Sequence, residues 1–311
     1  AFGIPFVRVS STDSYQAALA QGLTSDRPLI IEAAVPGDDG RTRRKRIWSQ
    51  STRKIQTASS SDPFVFLHGF LGSPEQWKDL ADAHGLPLHA DFLPGHGPTP
   101  WTLPDADFFA VVDALAERFP MPRVALCGYS LGARLALALA IRHPERVSSL
   151  LLVGVDPGII DDADRRARSA WEDELARRLI EQGLPSFVKE WEKLPLFASQ
   201  ARLSEQAQLR QRCQRLSHDP RALAWVLRTL GTGRMPSLWP SLISLKVPVR
   251  LVTGAHDEKF TAIAQKMCAQ NPLFQHLVVP QAGHNPIVEA APQMLSIFSN
   301  HRTHCYGDNP R

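Results

Sequence analysis

Three residues of this chain have the types and the order that activate a hydroxyl: Ser130, Asp257 and His284. A serine hydroxyl is inert near neutral pH until an imidazole takes its proton, and the imidazole works best when a carboxylate holds its tautomer. Ser130 lies in Gly128-Tyr-Ser-Leu-Gly132, with small residues two before and two after it, as a sharp turn between a strand and a helix requires. Such a turn lifts the hydroxyl above the sheet and aims the helix's first amides at it, so a nearby oxyanion meets a positive partial charge. Asp257 follows an apolar run in Gly254-Ala-His-Asp257, and His284 follows another in Ala282-Gly-His284. Glu258 is the local rival for the acid, and His256 for the base. A further glycine-bearing loop, His68-Gly-Phe-Leu-Gly72, can bring a backbone amide over the serine. Phe70 N–H and Leu131 N–H are thus the two candidate oxyanion donors, and His68 reads as a structural turn residue.

The elements that must hold these groups follow from the apolar pattern. Val124-Ala-Leu-Cys127 suits a buried strand, and the Ala/Leu run after Ser130 is free of glycine and proline from Ala133 until Pro144, which suits a helix. Phe64–Leu67, Leu88–Leu93, Ser149–Gly154, Val247–Thr253 and His276–Val279 read as further strands, and Asp105–Arg118 as a helix with an apolar face. Strand alternates with helix throughout. That pattern predicts an α/β fold, a mostly parallel, doubly wound sheet covered on both faces, with a site at the carboxyl ends of its strands. From Asp161 to Arg228 no strand is visible. Helical segments there, rich in Arg, Glu and Gln and interrupted at Pro185, Pro195 and Pro220, fit a helical cap over about residues 157–232.

At 311 residues, 43% hydrophobic and 21% charged, the chain can bury one large core and an appendage. No run reaches the roughly 18 to 20 apolar residues that span a bilayer, and the first residues do not read as a secretory leader. Cys127, Cys213, Cys268 and Cys305 match no metal-ligand spacing, so neither a metal site nor a cofactor is expected. The net charge of +4 is local: residues 41–54 hold seven basic and no acidic side chains, and without them the balance is −3. That segment reads as a solvated linker. A nucleic-acid role would rest on it alone, with only Trp48 to stack on a base.

Residues 1–46 read as strand, helix, strand (Phe6–Ser10, Asp13–Leu23, Leu29–Val35), too short for a core of their own, and 47–62 as a basic linker. The globular unit spans 63–300, and 301–311 read as a frayed tail.

From about Pro63 to Ser299 the motifs resemble the α/β-hydrolase superfamily. Gly128-Tyr-Ser-Leu-Gly-Ala-Arg134, Asp156-Pro-Gly158 with Arg165 and Arg168, Trp191 to Ser199, Gly231-Thr-Gly233, Gly254 to Phe260 and Ala282 to Asn285 resemble a narrower group. These are the 2-succinyl-6-hydroxy-2,4-cyclohexadiene-1-carboxylate synthases, pyruvate-eliminating lyases of menaquinone and phylloquinone biosynthesis. One departure is Ala133, where that motif usually carries a second glycine. The first 46 residues are similar in pattern to the C-terminal end of the thiamine-diphosphate synthase of the same pathway, which points to a fused plant or algal chain in the plastid; without fusion a cytoplasmic location is expected.

The resemblance implies a small-molecule tricarboxylate substrate. It implies that Arg134, Arg168 and Arg215, with Arg165 as runner-up to Arg168, clamp the carboxylates in two-pronged fashion, with Tyr129, Trp191 and Phe197 shaping the pocket. Ser130, deprotonated through His284 and Asp257, would then act as a base with no acyl-enzyme. Two other readings compete. A serine esterase or thioesterase would use the same three residues through a covalent intermediate, and a non-catalytic module would merely bind a small acidic ligand or a partner.

Overall fold

The computed structural model describes residues 6–9, 30–33 and 62–306. The chain divides into two units, residues 1–58 and 59–311. In the first, strand β1 (Phe6–Val9) pairs in parallel with β2 (Ile30–Ala33), Phe6 opposite Ile30 and Val9 opposite Ala33. The helix expected over 13–23 and the basic run 41–54 lie outside the described residues.

The second unit is built on a five-stranded sheet: β3 (Phe64–Leu67), β4 (Val124–Tyr129), β5 (Val147–Val153), β6 (Val249–Gly254) and β7 (Phe274–Val279). The strands lie side by side in that order and every neighbouring pair is parallel. β3 and β4 are buried along their whole length, which is why they read as unbroken apolar runs rather than as alternating ones. The strand expected over 88–93 reduces to one bridge, His89 to Val65, with Phe66 N donating to His89 O at 2.9 Å. The reason is local: the His89 amide is spent on Pro87 O at 2.9 Å, and Pro87 and Pro94 bring no donors of their own.

Helices cover the sheet. After α1 (Lys78–Ala83), α2 (Phe108–Glu117) starts three residues later than the sequence pattern suggests. Asp105 has φ 58°, and Asp107 is the cap, accepting from Ala110 N at 2.8 Å. α3 (Leu131–Arg142) is buried from Leu131 through Ala140 except at Arg134, and Ala133 is fully enclosed, so the departure from a second glycine is accommodated.

Between β5 and β6 the chain is helical. α4 (Asp162–Trp191) is broken at Gly183 (φ 80°, ψ 162°), two residues before Pro185, into two pieces. A 3₁₀ run, Pro195–Arg202, leads to α5 (Glu205–Arg215) and α6 (Pro220–Leu230). Pro220 therefore opens a helix rather than interrupting one, with Asp219 as its cap. Leu175, Leu179, Phe187 and Val188 of α4 pack on Leu223 and Leu227 of α6 and on Leu71 of the 68–72 loop.

α7 (Glu258–Gln270), α8 (Pro286–Glu289) and α9 (Ala291–Tyr306) complete the unit. The frayed tail expected from residue 301 is instead helical through Tyr306. His301 is fully buried, with Nε2 3.3 Å from Ser149 Oγ of β5, which ties this part of the helix to the sheet. Among the described residues no helix is long and apolar enough to cross a membrane.

Candidate active site

β4 ends at Tyr129, and Ser130 turns the chain into α3 with φ 49° and ψ −107°. Holding a serine in that region costs on the order of 1–3 kcal/mol, which the surrounding packing must impose. The glycines on either side allow it. A Cβ on Gly132 would lie 2.3 Å from Leu67 O, and one on Gly128 would lie 2.6 Å from Gly132 O. The Ser130 amide donates to Val153 O at 2.9 Å, tying the elbow to β5.

His284 reaches Ser130 from the loop after β7. Its Nε2 is 3.2 Å from Ser130 Oγ, and its Nδ1 is 2.7 Å from Asp257 Oδ2 at the end of β6. Asp257 and His284 are both buried. The carboxylate accepts a hydrogen bond from Nδ1–H, which leaves the Nε2 lone pair to accept from the serine hydroxyl. Glu258 and His256, the rival acid and base, are exposed on either side of Asp257. The histidine is held sterically as well. Phe260 and Tyr129 flank it at 4.4 and 5.5 Å between ring centroids, and Phe197 of the cap approaches at 6.2 Å.

Phe70 and Leu131 line the same cavity as Ser130. As the first residue of α3, Leu131 has no intrahelical acceptor for its N–H. The Phe70 loop is pinned by two buried histidines. His68 donates from Nδ1 to Gly69 O (2.8 Å) and accepts from Leu93 N at Nε2 (3.0 Å), as a turn residue should. His96 accepts from Leu71 N at Nε2 (3.2 Å) and donates to Pro94 O (2.9 Å). Burial pushes His68 down to about 3 and holds His96 well below the usual imidazole range, so both are neutral, with one donor and one acceptor each. His218, before α6, accepts from Gly97 N at 2.9 Å and stacks edge-on to His96, 5.3 Å between centroids. His96 and His218 were not singled out by sequence, since a lone buried histidine carries no spacing signal.

The cavity above Ser130 measures about 560 Å³. All six residues that the resemblance assigns to the substrate line it: Tyr129, Arg134, Arg168, Trp191, Phe197 and Arg215. Arg165 does not line it and pairs with Asp162. The three guanidiniums come from three elements. Arg134 of α3 donates from Nη1 to Leu230 O at 2.8 Å, and burial lowers it to about 10. Arg168 of α4 donates from Nε to Glu172 at 2.7 Å and lies over the Trp171 ring at 4.6 Å. Arg215 of α5 is held by Glu192 (2.9 Å), Gln200 (3.0 Å) and Gln211 (3.1 Å). Sequence reasoning missed several polar groups that also line the cavity, among them Lys259, Arg210 and the pair Gln76 and Asn285, joined at 3.2 Å.

A parallel sheet carrying a serine elbow, an acid after β6 and a histidine after β7 defines an α/β-hydrolase, and residues 64–295 match the alpha/beta hydrolase family. Several similar proteins belong to one branch. A Bacillus subtilis (strain 168) protein provisionally named 2-succinyl-6-hydroxy-2,4-cyclohexadiene-1-carboxylate synthase is 40% identical over 74% of this chain and 86% of its own. The synthase of that name from Enterobacter sp. (strain 638) is 34% identical over 71% and 84%. The chloroplastic protein PHYLLO of Arabidopsis thaliana is 30% identical over 71% of this chain, which spans 14% of that much longer protein. The solved structure of MenH from S. aureus superposes with a TM-score of 0.74 at 33% identity, covering 80% of this chain and 96% of that one. The chain belongs to the alpha/beta hydrolase family and, within it, to the 2-succinyl-6-hydroxy-2,4-cyclohexadiene-1-carboxylate synthases.

Proposed function

We propose that this chain eliminates pyruvate from 2-succinyl-5-enolpyruvyl-6-hydroxy-3-cyclohexene-1-carboxylate to give 2-succinyl-6-hydroxy-2,4-cyclohexadiene-1-carboxylate. The observation that carries the reading is the meeting of three guanidiniums, Arg134, Arg168 and Arg215, with Ser130 and His284 in one cavity. The substrate carries three carboxylates. An ester-cleaving site has no need of three fixed cations around its nucleophile.

The bonds balance without a cofactor. The Ser130 oxygen, its proton passed to His284 Nε2, removes the ring hydrogen beside the succinyl carbonyl. The freed pair is first held as an enolate, with the Phe70 and Leu131 amides as donors. It then forms the 2,3 double bond, the 3,4 double bond shifts to 4,5, and the C5–O bond breaks. Enolpyruvate leaves and takes up a proton as pyruvate. Asp257 stabilises the imidazolium while it exists. The hydroxyl acts as a base, so no acyl-serine forms.

We further propose that the protein works in the plastid as one segment of a longer multi-enzyme chain. The resemblance to the Arabidopsis relative and the parallel β1–β2 pair before the enzyme unit support this. Probing the size of the native polypeptide in extracts tests it, and a free protein of this length would sink it.

The decisive assay follows pyruvate release from the cyclohexene substrate by the full chain, beside a panel of p-nitrophenyl esters. Rapid release that drops by about 10²–10⁴-fold in Ser130→Ala is expected for loss of a positioned base. Ester turnover with a trapped acyl-Ser130 and no pyruvate would overturn the lyase in favour of a serine hydrolase.

A further inference from the structure

Glu172 belongs neither to the Ser130–His284–Asp257 chain nor to the trio of cations, yet it is the acid buried deepest in the cap, with 2% of its side chain exposed. Three donors converge on it. Arg168 Nε reaches Oε1 at 2.7 Å, Thr232 N reaches Oε1 at 2.8 Å, and Gly233 N reaches Oε2 at 3.0 Å. A carboxylate buried in this way is tolerated because its hydrogen bonds come from three N–H groups, two from the backbone and one from a cation.

The segment that donates those amides is shaped to reach the acid. A Cβ on Gly231 would lie 2.1 Å from Glu172 Oε2, and one on Gly233 would lie 2.3 Å from Ser169 N of α4. Gly231 and Gly233 are thus pressed against α4 with no room for a side chain at either. The same segment leaves α6 at Leu230, whose carbonyl accepts from Arg134 Nη1 at 2.8 Å. One carboxylate therefore stands behind two of the three guanidiniums. It binds Arg168 directly and fixes the chain that carries the acceptor for Arg134.

The geometry also sorts the nitrogens of Arg168. Glu172 takes Nε, and Trp171 covers a face of the guanidinium plane at 4.6 Å. The two terminal nitrogens take no part in that bond, and Arg168 lines the cavity, so their edge is available to grip a carboxylate in two-pronged fashion.

We propose that Glu172 is a positioning residue for substrate binding, which sets the direction of the Arg168 fork and, through Gly231-Thr-Gly233, the place of Arg134. The role assigned to these arginines rests on the lyase reading. Since Glu172 touches no reacting group, it should govern affinity rather than the chemical step.

Glu172→Gln tests this. It keeps the volume but turns an amide nitrogen toward a site where every partner is itself a donor. Pyruvate release by the full chain should show KM raised by about tenfold or more with kcat within about threefold, the pattern of lost uniform binding. In an Arg168→Ala background the same change should raise KM by no more than about threefold, because the larger of its two routes is gone. Glu172→Asp, which keeps the charge but not the reach, should fall between, and it replaces the glutamine variant if that one does not fold. Succinate, a plain dicarboxylate, is titrated in parallel by the fluorescence of Trp171 and Trp191, with the same loss of affinity expected. Three results would overturn the proposal: an unchanged KM and succinate affinity, an equal rise with and without Arg168, or equal damage to kcat and KM. If the wild-type protein binds succinate but releases no pyruvate, the lyase reading fails while the Glu172 proposal is still scored by the titration. No succinate binding and no release overturns both.

Discussion

Ser130 Oγ and His284 Nε2 lie 3.2 Å apart, and what makes that separation useful is on the far side of the ring, where Nδ1 meets Asp257 at 2.7 Å. Only the carboxylate forces the proton onto Nδ1. In Asp257→Asn the side-chain amide can donate instead, which turns the tautomer around and puts the proton on Nε2, facing the serine. The kcat for pyruvate release should then fall by about 10²–10⁴-fold with KM within about threefold. Steady-state kinetics decide it. An asparagine variant with a third or more of the activity would mean that Ser130 is not deprotonated through this ring.

Gly154 supports the same histidine from beneath. It follows β5 with φ 60°, and a Cβ there would lie 2.7 Å from His284 Cε1. Gly154→Ala combines a backbone conformation that alanine avoids with a methyl group pushing on the imidazole. A displacement approaching 1 Å at a catalytic group costs about 10²-fold. The expected result is a loss of about 10- to 100-fold in kcat, with the far-ultraviolet circular dichroism spectrum unchanged. Full activity would show that the ring has freedom the packing does not suggest.

The parts of the site that could be read in the sequence are those in which backbone geometry restricts residue choice. The elbow needed glycine at 128 and 132 because a Cβ at either strikes main chain, so the turn around Ser130 was visible as a pattern. The loops at Asp257 and His284 were visible as polar ends of apolar strands. The cap was legible only as helical. Which of its arginines turn inward depends on how α4, α5 and α6 pack, and Arg168 and Arg215 could be chosen by family resemblance but not by spacing. Glu172, His96 and His218 left no trace for a related reason. A buried acid or imidazole whose hydrogen bonds come from distant backbone amides looks, in sequence, like any surface residue. The strand expected over 88–93 failed differently: its apolar pattern was right, but the His89 amide turns back to Pro87 O and leaves the ladder.

The buried histidines give the fold a defined acid limit. His68, His96 and His218 are all lowered from 6.5 by burial, His68 to about 3. Each is neutral when folded and takes up a proton on unfolding once the pH is below about 6.5, the ordinary imidazole value. The unfolded state then holds more protons, so stability increases with pH in this window. Their contribution is complete above about pH 6.5 and is lost as the pH falls through each ring's lowered folded value, about 3 for His68, at up to ~1.4 kcal/mol per pH unit for each ring that stays neutral. Carboxylates add to acid unfolding, so the test is a comparison of variants. Glutamine at position 96 can offer one acceptor to Leu71 N and one donor to Pro94 O without titrating. Urea midpoints of the wild-type protein should drop sharply between about pH 7 and about pH 5, and His96→Gln should flatten that drop even if it lowers the value at pH 7. If the variant is as steep as the wild type, His96 is not a proton-linked element of the fold.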